Sequence, residues 1–154
     1  MTDDPTAAGV PRTTAPDRVY EADGIAVEWR ASRCIHTANC LRSLPSVFDT
    51  SARPWIDVSG ATPEQIAEAV RTCPTGALRY EGEGLPPDDG GTEVAIDAQP
   101  DGPLYVRGPV TVTDHEDRPL TAEPRLALCR CGASENKPYC DNSHKHVGWT
   151  EGGG

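Results

Sequence analysis

The run Cys129-Arg-Cys131-Gly-Ala-Ser134-Glu-Asn-Lys-Pro138-Tyr-Cys140-Asp141-Asn142-Ser143-His144 constrains this chain more than any other stretch. Three thiols and an imidazole in so short a span are poor material for an apolar core and good material for a metal. Cys129 and Cys131 fall on the same side of an extended chain, so both sulfurs face one centre. Asn136, Lys137 and Pro138 read as a turn that returns Cys140 towards them. Cys140 and His144, four apart, share a face on a helical turn. Three thiolates and one imidazole suit tetrahedral zinc or an iron–sulfur cluster. A paired C-x2-C finger would favour zinc, and the C-x-C spacing here, eight residues ahead of the third Cys, is not that pattern.

The run resembles the CDGSH iron–sulfur (NEET) family, whose motif reads C-x-C-x2-[ST]-x3-P-x-C-D-G-[SAT]-H. Ser134, Pro138, Cys140, Asp141, Ser143 and His144 stand where that motif places them. Asn142 departs from it, because the family has Gly there; Asn tolerates a left-handed backbone better than other non-Gly residues. The resemblance implies a [2Fe-2S] cluster held by Cys129, Cys131, Cys140 and His144.

Abundant Gly and Pro, 15 of each in 154 residues, leave few large aliphatic side chains, so any core is thin. Two units of roughly 70 residues would be marginal on apolar burial alone, and metal clusters or a partner subunit would supply the missing stability. The formal charge of −10 argues against nonspecific binding to nucleic acid or anionic membrane and suits docking on a basic redox partner. No apolar run approaches the roughly 20 residues of a membrane span, and the N-terminus carries neither secretory nor mitochondrial features. The six Cys therefore read as metal ligands in a reducing, cytoplasmic compartment rather than as disulfides.

In chain order, residues 1–17 read as a disordered polar tail. Val19-Tyr20-Glu21 and Ile25 to Arg30 flank Asp23-Gly24 as a β-hairpin that buries Ile25, Val27 and Trp29. A short helix over Leu41–Leu44 stops at Pro45, Val47 and Phe48 turn inward, and Trp55 to Val58 reads as a short strand. Thr62-Pro63-Glu64-Gln65 starts a helix with a capping box. Its apolar stripe of Ile66, Ala69 and Val70 runs on to Cys73. Ala77 to Tyr80 is a further strand. Residues 82–92, rich in Gly, Pro and acids, read as a linker. Beyond it, Val94/Ile96, Leu104/Val106, Val110/Val112 and Leu126/Leu128 alternate as an antiparallel β unit leading into Cys129.

Cys34, Cys40 and Cys73-Pro74 require a joint explanation. A [4Fe-4S] ferredoxin spaces its thiolates C-x2-C-x2-C with a remote Cys-Pro; here the middle position is Thr37, which is no soft ligand. Cys34-x5-Cys40, Leu44-Pro45-x-Val47-Phe48-Asp49, Pro54-Trp55 and Cys73-Pro74-x-Gly76-Ala77-Leu78 resemble, in that order, the divergent monocluster ferredoxin family. That resemblance covers about residues 18–81 and implies a [3Fe-4S] or [4Fe-4S] cluster on Cys34, Cys40 and Cys73, with His36 a possible fourth ligand. Trp29, Trp55 and Trp149 read as packing, His115 as solvated, and His146 as a less well spaced alternative to His144.

The expected fold class is α+β: a ferredoxin-like unit at 18–81, then a small mainly-β CDGSH-type cluster unit at 93–150. The leading functional expectation is electron transfer by a two-cluster protein between a reductase and an acceptor. Exchanging thiolate for neutral imidazole places the C-terminal cluster at the higher potential. The alternatives are a cluster carrier serving an apo-acceptor, a redox or iron sensor, and a structural zinc module. No nucleophile–base pair, phosphate loop or carboxylate pair points to an enzyme. Single-motif proteins similar to the C-terminal half are usually homodimers, so a homodimer through this half is the favoured assembly.

Overall fold

The computed structural model describes residues 15–89 and 91–152. Most of the tail expected at 1–17 lies outside the described residues. The chain forms two three-stranded antiparallel sheets in sequence, each carrying short helices, an α+β architecture.

In the first sheet, β1 (Arg18–Ala22) and β2 (Ile25–Trp29) pair as a hairpin, and β3 (Leu78–Glu81) closes on the other side of β2. Gly24 sits in the hairpin turn at φ +90°, a conformation that costs glycine little. Between β2 and β3 run α1 (Asn39–Ser43) and α2 (Pro63–Arg71). The α2 start carries the full capping box: the Thr62 hydroxyl accepts from Gln65 N–H while the Gln65 side chain accepts from Thr62 N–H. Ile66, Ala69 and Val70 then pack with Val27, Phe48 and Ile56 in the first core. Trp29 and Trp55 meet edge to face at 5.4 Å on its border.

The strand expected over Trp55 to Val58 does not form. Only Ile56 pairs, in an isolated bridge with Phe48. Pro54 withholds a ladder donor, and Asp57 turns the chain by accepting from Gly60 N–H and, through its side chain, Ser59 N–H.

In the second sheet, β4 (Ala95–Ala98), β5 (Leu104–Thr113) and β6 (Pro119–Leu128) form a meander in that order. Pro124 is tolerated because β6 is an edge strand. The alternation read at Val94/Ile96 is not a buried face, since Val94 is 50% and Ile96 64% exposed. β4 lies at the open edge, and the first unit packs against β6 instead.

The two units meet through polar side chains. Arg125 on β6 donates to the carbonyls of Val70, Cys73 and Leu78 and to the Asp88 carboxylate. Arg33 pairs with Glu123, and both side chains are fully buried. A Cβ at Gly76 would stand 2.4 Å from the Arg125 carbonyl oxygen, so the backbones approach too closely there for any side chain. The stretch read as a linker takes part in this contact. Leu85 packs on the first core and the Pro86 carbonyl accepts from the Tyr80 hydroxyl.

Candidate iron–sulfur sites

β6 delivers Cys129 at its end, and the chain then loops back. Cys129 N–H donates to the Pro138 carbonyl, Tyr139 N–H to Asn136, and Cys140 N–H to Ala127. The turn read at Asn136 to Pro138 thus lays Cys140 beside the end of β6. The Ser134 hydroxyl locks it by donating to the Tyr139 carbonyl while accepting from Asn136 N–H. Asn142 takes a left-handed conformation, φ 72°, at the N-terminus of α3 (Ser143–His146). That turn brings His144 Nδ1 to 3.8 Å from Cys140 Sγ. On the other side Cys129 Sγ and Cys131 Sγ stand 3.7 Å apart.

Backbone N–H groups surround the sulfurs. Gly132 donates to Cys129, Ala133 to Cys131 and Asn142 to Cys140, at 3.3–3.4 Å. Such donors favour thiolate over thiol. Burial works against ionisation of Cys129, but the Ser134 and Gly132 N–H groups and the Cys131 thiol outweigh it, leaving its pKa lowered. Cys140 is more enclosed, and burial holds its thiol up. Burial, helped by Lys145 and opposed by Asp141, pushes the His144 pKa down, which favours the neutral imidazole that metal ligation uses. Asp141 braces the loop by accepting from Glu135 and Ser143 N–H. The Ser143 side chain, followed by the Glu135 N–H, lowers its pKa to about 2. The four candidate ligands form two pairs, each about 3.7–3.8 Å across, that line one cleft, a disposition that suits a group presenting two metal atoms. Among the described residues no three His, Cys, Asp or Glu side chains converge as a single ion requires.

The other thiols surround a cavity of about 290 Å³ in the first unit, lined by Cys34, His36, Cys40 and Cys73 with Trp29 and Trp55. Cys40 comes from α1 and Cys73 from the turn after α2. The Asn39 side chain ties the two by donating to the Thr72 carbonyl. His36 and Ala38 both adopt positive φ, 59° and 64°. Such strain in non-Gly residues persists where surrounding structure enforces it, and it clusters at functional sites. Here it curls the loop around the cavity. His36 Nδ1 lies 3.8 Å from Cys34 Sγ. The Thr37 hydroxyl accepts from Asn39 N–H. Burial raises the Cys34 thiol, and burial with the nearby Cys73 raises Cys40 to about 11. Sulfurs so disposed become thiolates when a metal displaces their protons. All six cysteines are free thiols. The cavity and its soft donor set fit a multi-iron cluster.

His115 and His146 are exposed and line neither of the two clefts. Trp149 lies under the Arg130 guanidinium, 5.1 Å from the ring centroid. Arg130 itself fastens the second site's loop by donating to the Gln99 and Gly102 carbonyls. Sequence reasoning passed over Arg33, Arg125, Arg130 and Glu123, because isolated charges in a strand or loop ordinarily face water.

Comparison with known proteins agrees with both halves. Residues 20–83 match the family model described as a divergent 4Fe-4S mono-cluster, and residues 101–145 match that described as iron-binding zinc finger, CDGSH type. The uncharacterized protein YjdI of Escherichia coli strain K12 is 32% identical over 63 residues, spanning 41% of this chain and 83% of the relative. YjdI of Escherichia coli O157:H7 matches to the same extent. The chain belongs to the divergent 4Fe-4S mono-cluster family through its first unit and joins to it a CDGSH-type iron-binding domain.

Proposed function

We propose that this protein is a two-cluster electron carrier. Cys129, Cys131, Cys140 and His144 would hold a [2Fe-2S] cluster, and Cys34, Cys40 and Cys73 a [4Fe-4S] cluster with His36 as the fourth donor. The observation that carries the reading is the direct packing of the Cys34 loop on the Cys140 loop. Ile35, between Cys34 and His36, lies 6% exposed against Cys140 and Ala127. A carrier of separate cargo has no need to bring two sites together, whereas a relay does. Such clusters, when bound, take up and release single electrons; the protein fixes their ligands, N–H donors and burial, and so their potentials. Each donor set carries one imidazole in place of a thiolate, so the gap in potential between the sites is set by cluster type, N–H donors and burial, and the titration below orders the two. Electrons would come from a reductase and leave to an acceptor protein, and the acidic surface suits basic partners.

The test is anaerobic purification with iron and acid-labile sulfide quantified, followed by EPR during dithionite titration. Two distinct signals appearing in sequence support the relay. Zinc without sulfide would make the second unit a structural module, and signals unchanged by dithionite would remove electron transfer. Movement of the second cluster to an apo-ferredoxin on mixing, seen as a shift of visible absorbance, would favour the carrier reading.

A further inference from the structure

The two ligand loops are joined at several points. Asn142 Nδ2 donates to the Ile35 carbonyl oxygen at 2.8 Å, and Asn142 N–H donates to Cys140 Sγ at 3.4 Å. Asn136 Nδ2 reaches the Ser32 carbonyl at 2.9 Å. The Arg33 guanidinium lies 3.6 Å from the centroid of the Tyr139 ring. The residues flanking Cys34 thus touch the residues flanking Cys140. Asn142 bonds both to the second site's sulfur and to the first site's ligand loop.

Its identity sharpens the point. At φ 72° glycine is the least costly residue, and the CDGSH pattern has Gly at this position. A side chain here adds nothing to the turn, since it makes no capping bond to α3. It spends its amide on the other unit. Hydrogen bonding alone would have allowed any donor; the two-atom reach of Asn matches a backbone that passes this close.

Resting on the two-cluster reading above, we propose that Asn142 is the positioning residue of the electron route between the sites. The route runs from Cys34 through the Ile35 peptide, across the hydrogen bond into the Asn142 side chain, and along its backbone N–H to the Cys140 sulfur. One electron leaves the first site, which is oxidised by one equivalent, and enters the second, which is reduced by one. No bond is made or broken and no proton moves. A one-electron reductant such as dithionite supplies the electron.

The experiment uses the full chain, purified anaerobically, as wild type, Asn142→Gly and Asn142→Asp. Glycine keeps the turn and deletes the link; aspartate keeps the shape and offers the Ile35 carbonyl no donor. Iron, sulfide and both potentials are measured first. Electron redistribution after mixing with less than one equivalent of dithionite is then followed by freeze-quench EPR. The expected result is full cluster content in both variants with slower redistribution than wild type, beyond what any change in the potential gap accounts for. Wild-type rates in both variants would overturn the proposal. So would a slowing seen only in Tyr139→Leu, prepared and measured in the same way as a control, which would move the route to the Arg33–Tyr139 contact. Loss of the second cluster from both variants would also overturn it, by making Asn142 a folding residue of its own loop. Absence of redistribution in the wild type would instead bring down the two-cluster relay itself.

Discussion

Arg125 of the second unit and Asp88 of the stretch that joins the two units form a buried ion pair, with Arg125 Nη2 donating to both Asp88 carboxylate oxygens at 2.9 and 2.8 Å. The two side chains are 5% and 3% exposed. The same guanidinium caps the carbonyls of Val70 and Cys73 at the end of α2, so one side chain fixes both the interface and the turn that delivers Cys73. Removing one partner of such a pair strands a buried charge and typically costs about 3–5 kcal/mol. Arg125→Ala is therefore expected to lower the urea midpoint sharply and to split a single unfolding transition, followed by far-UV CD, into two. A single unchanged transition would show that the units are coupled by other contacts.

How much of this was legible in the chain depends on the range of the interactions. The α2 start was readable because every determinant is local: Thr62, Pro63 and Gln65 lie within one turn, and Ile66, Ala69 and Val70 repeat at helical spacing. The second site's loop was readable for the same reason, since its four candidate ligands fall in one run. The joining of the sites was not. Ile35 and Asn142 are 107 residues apart, and Arg33 and Glu123 are 90 apart; no periodicity encodes such pairs. Ile96 reads correctly as part of an antiparallel strand, but its exposure is not legible, because alternation reports that a face is apolar, not that something covers it.

The Thr62 capping box offers a cleaner local test. Replacing an N-cap Thr by Ala typically costs about 0.5–2 kcal/mol. Thr62→Ala is expected to reduce stability by that order in urea unfolding. Because α2 leads directly to Cys73, it should also hasten loss of the first cluster's visible absorbance while leaving the second site's iron in place. Equal cluster lifetimes in mutant and wild type would separate the helix from the site.

The open edge of the second sheet bears on assembly. Ile96 on β4 and Val94 just before it present apolar surface at the outer edge of the sheet, and exposed edges of this kind invite pairing. Because the first unit packs on β6 and leaves β4 open, a second copy of the chain is the occupant we propose for it. Sedimentation velocity is expected to give a dimer for the wild type and a shift towards monomer for Ile96→Lys, with cluster content unchanged. A monomeric wild type at micromolar concentration would end this reading.

His36 tests the first site most directly. It lines the same cavity as the three thiols, in a backbone conformation that non-Gly residues seldom adopt. Its Nδ1 lies as far from Cys34 Sγ as His144 Nδ1 lies from Cys140 Sγ, 3.8 Å in both cases. If the imidazole supplies the fourth donor, its removal leaves one iron without a protein ligand, and that iron is the one lost first. His36→Ala is therefore expected to convert the first cluster from [4Fe-4S] to [3Fe-4S], seen as an EPR signal in the oxidised protein and a fall in iron per chain. Neutral imidazole also removes charge relative to thiolate, so His36→Cys should lower the potential of the first cluster while that of the second stays near its wild-type value. Unchanged iron, EPR and potential in both variants would place His36 outside the ligand set and leave three thiolates as the whole protein contribution.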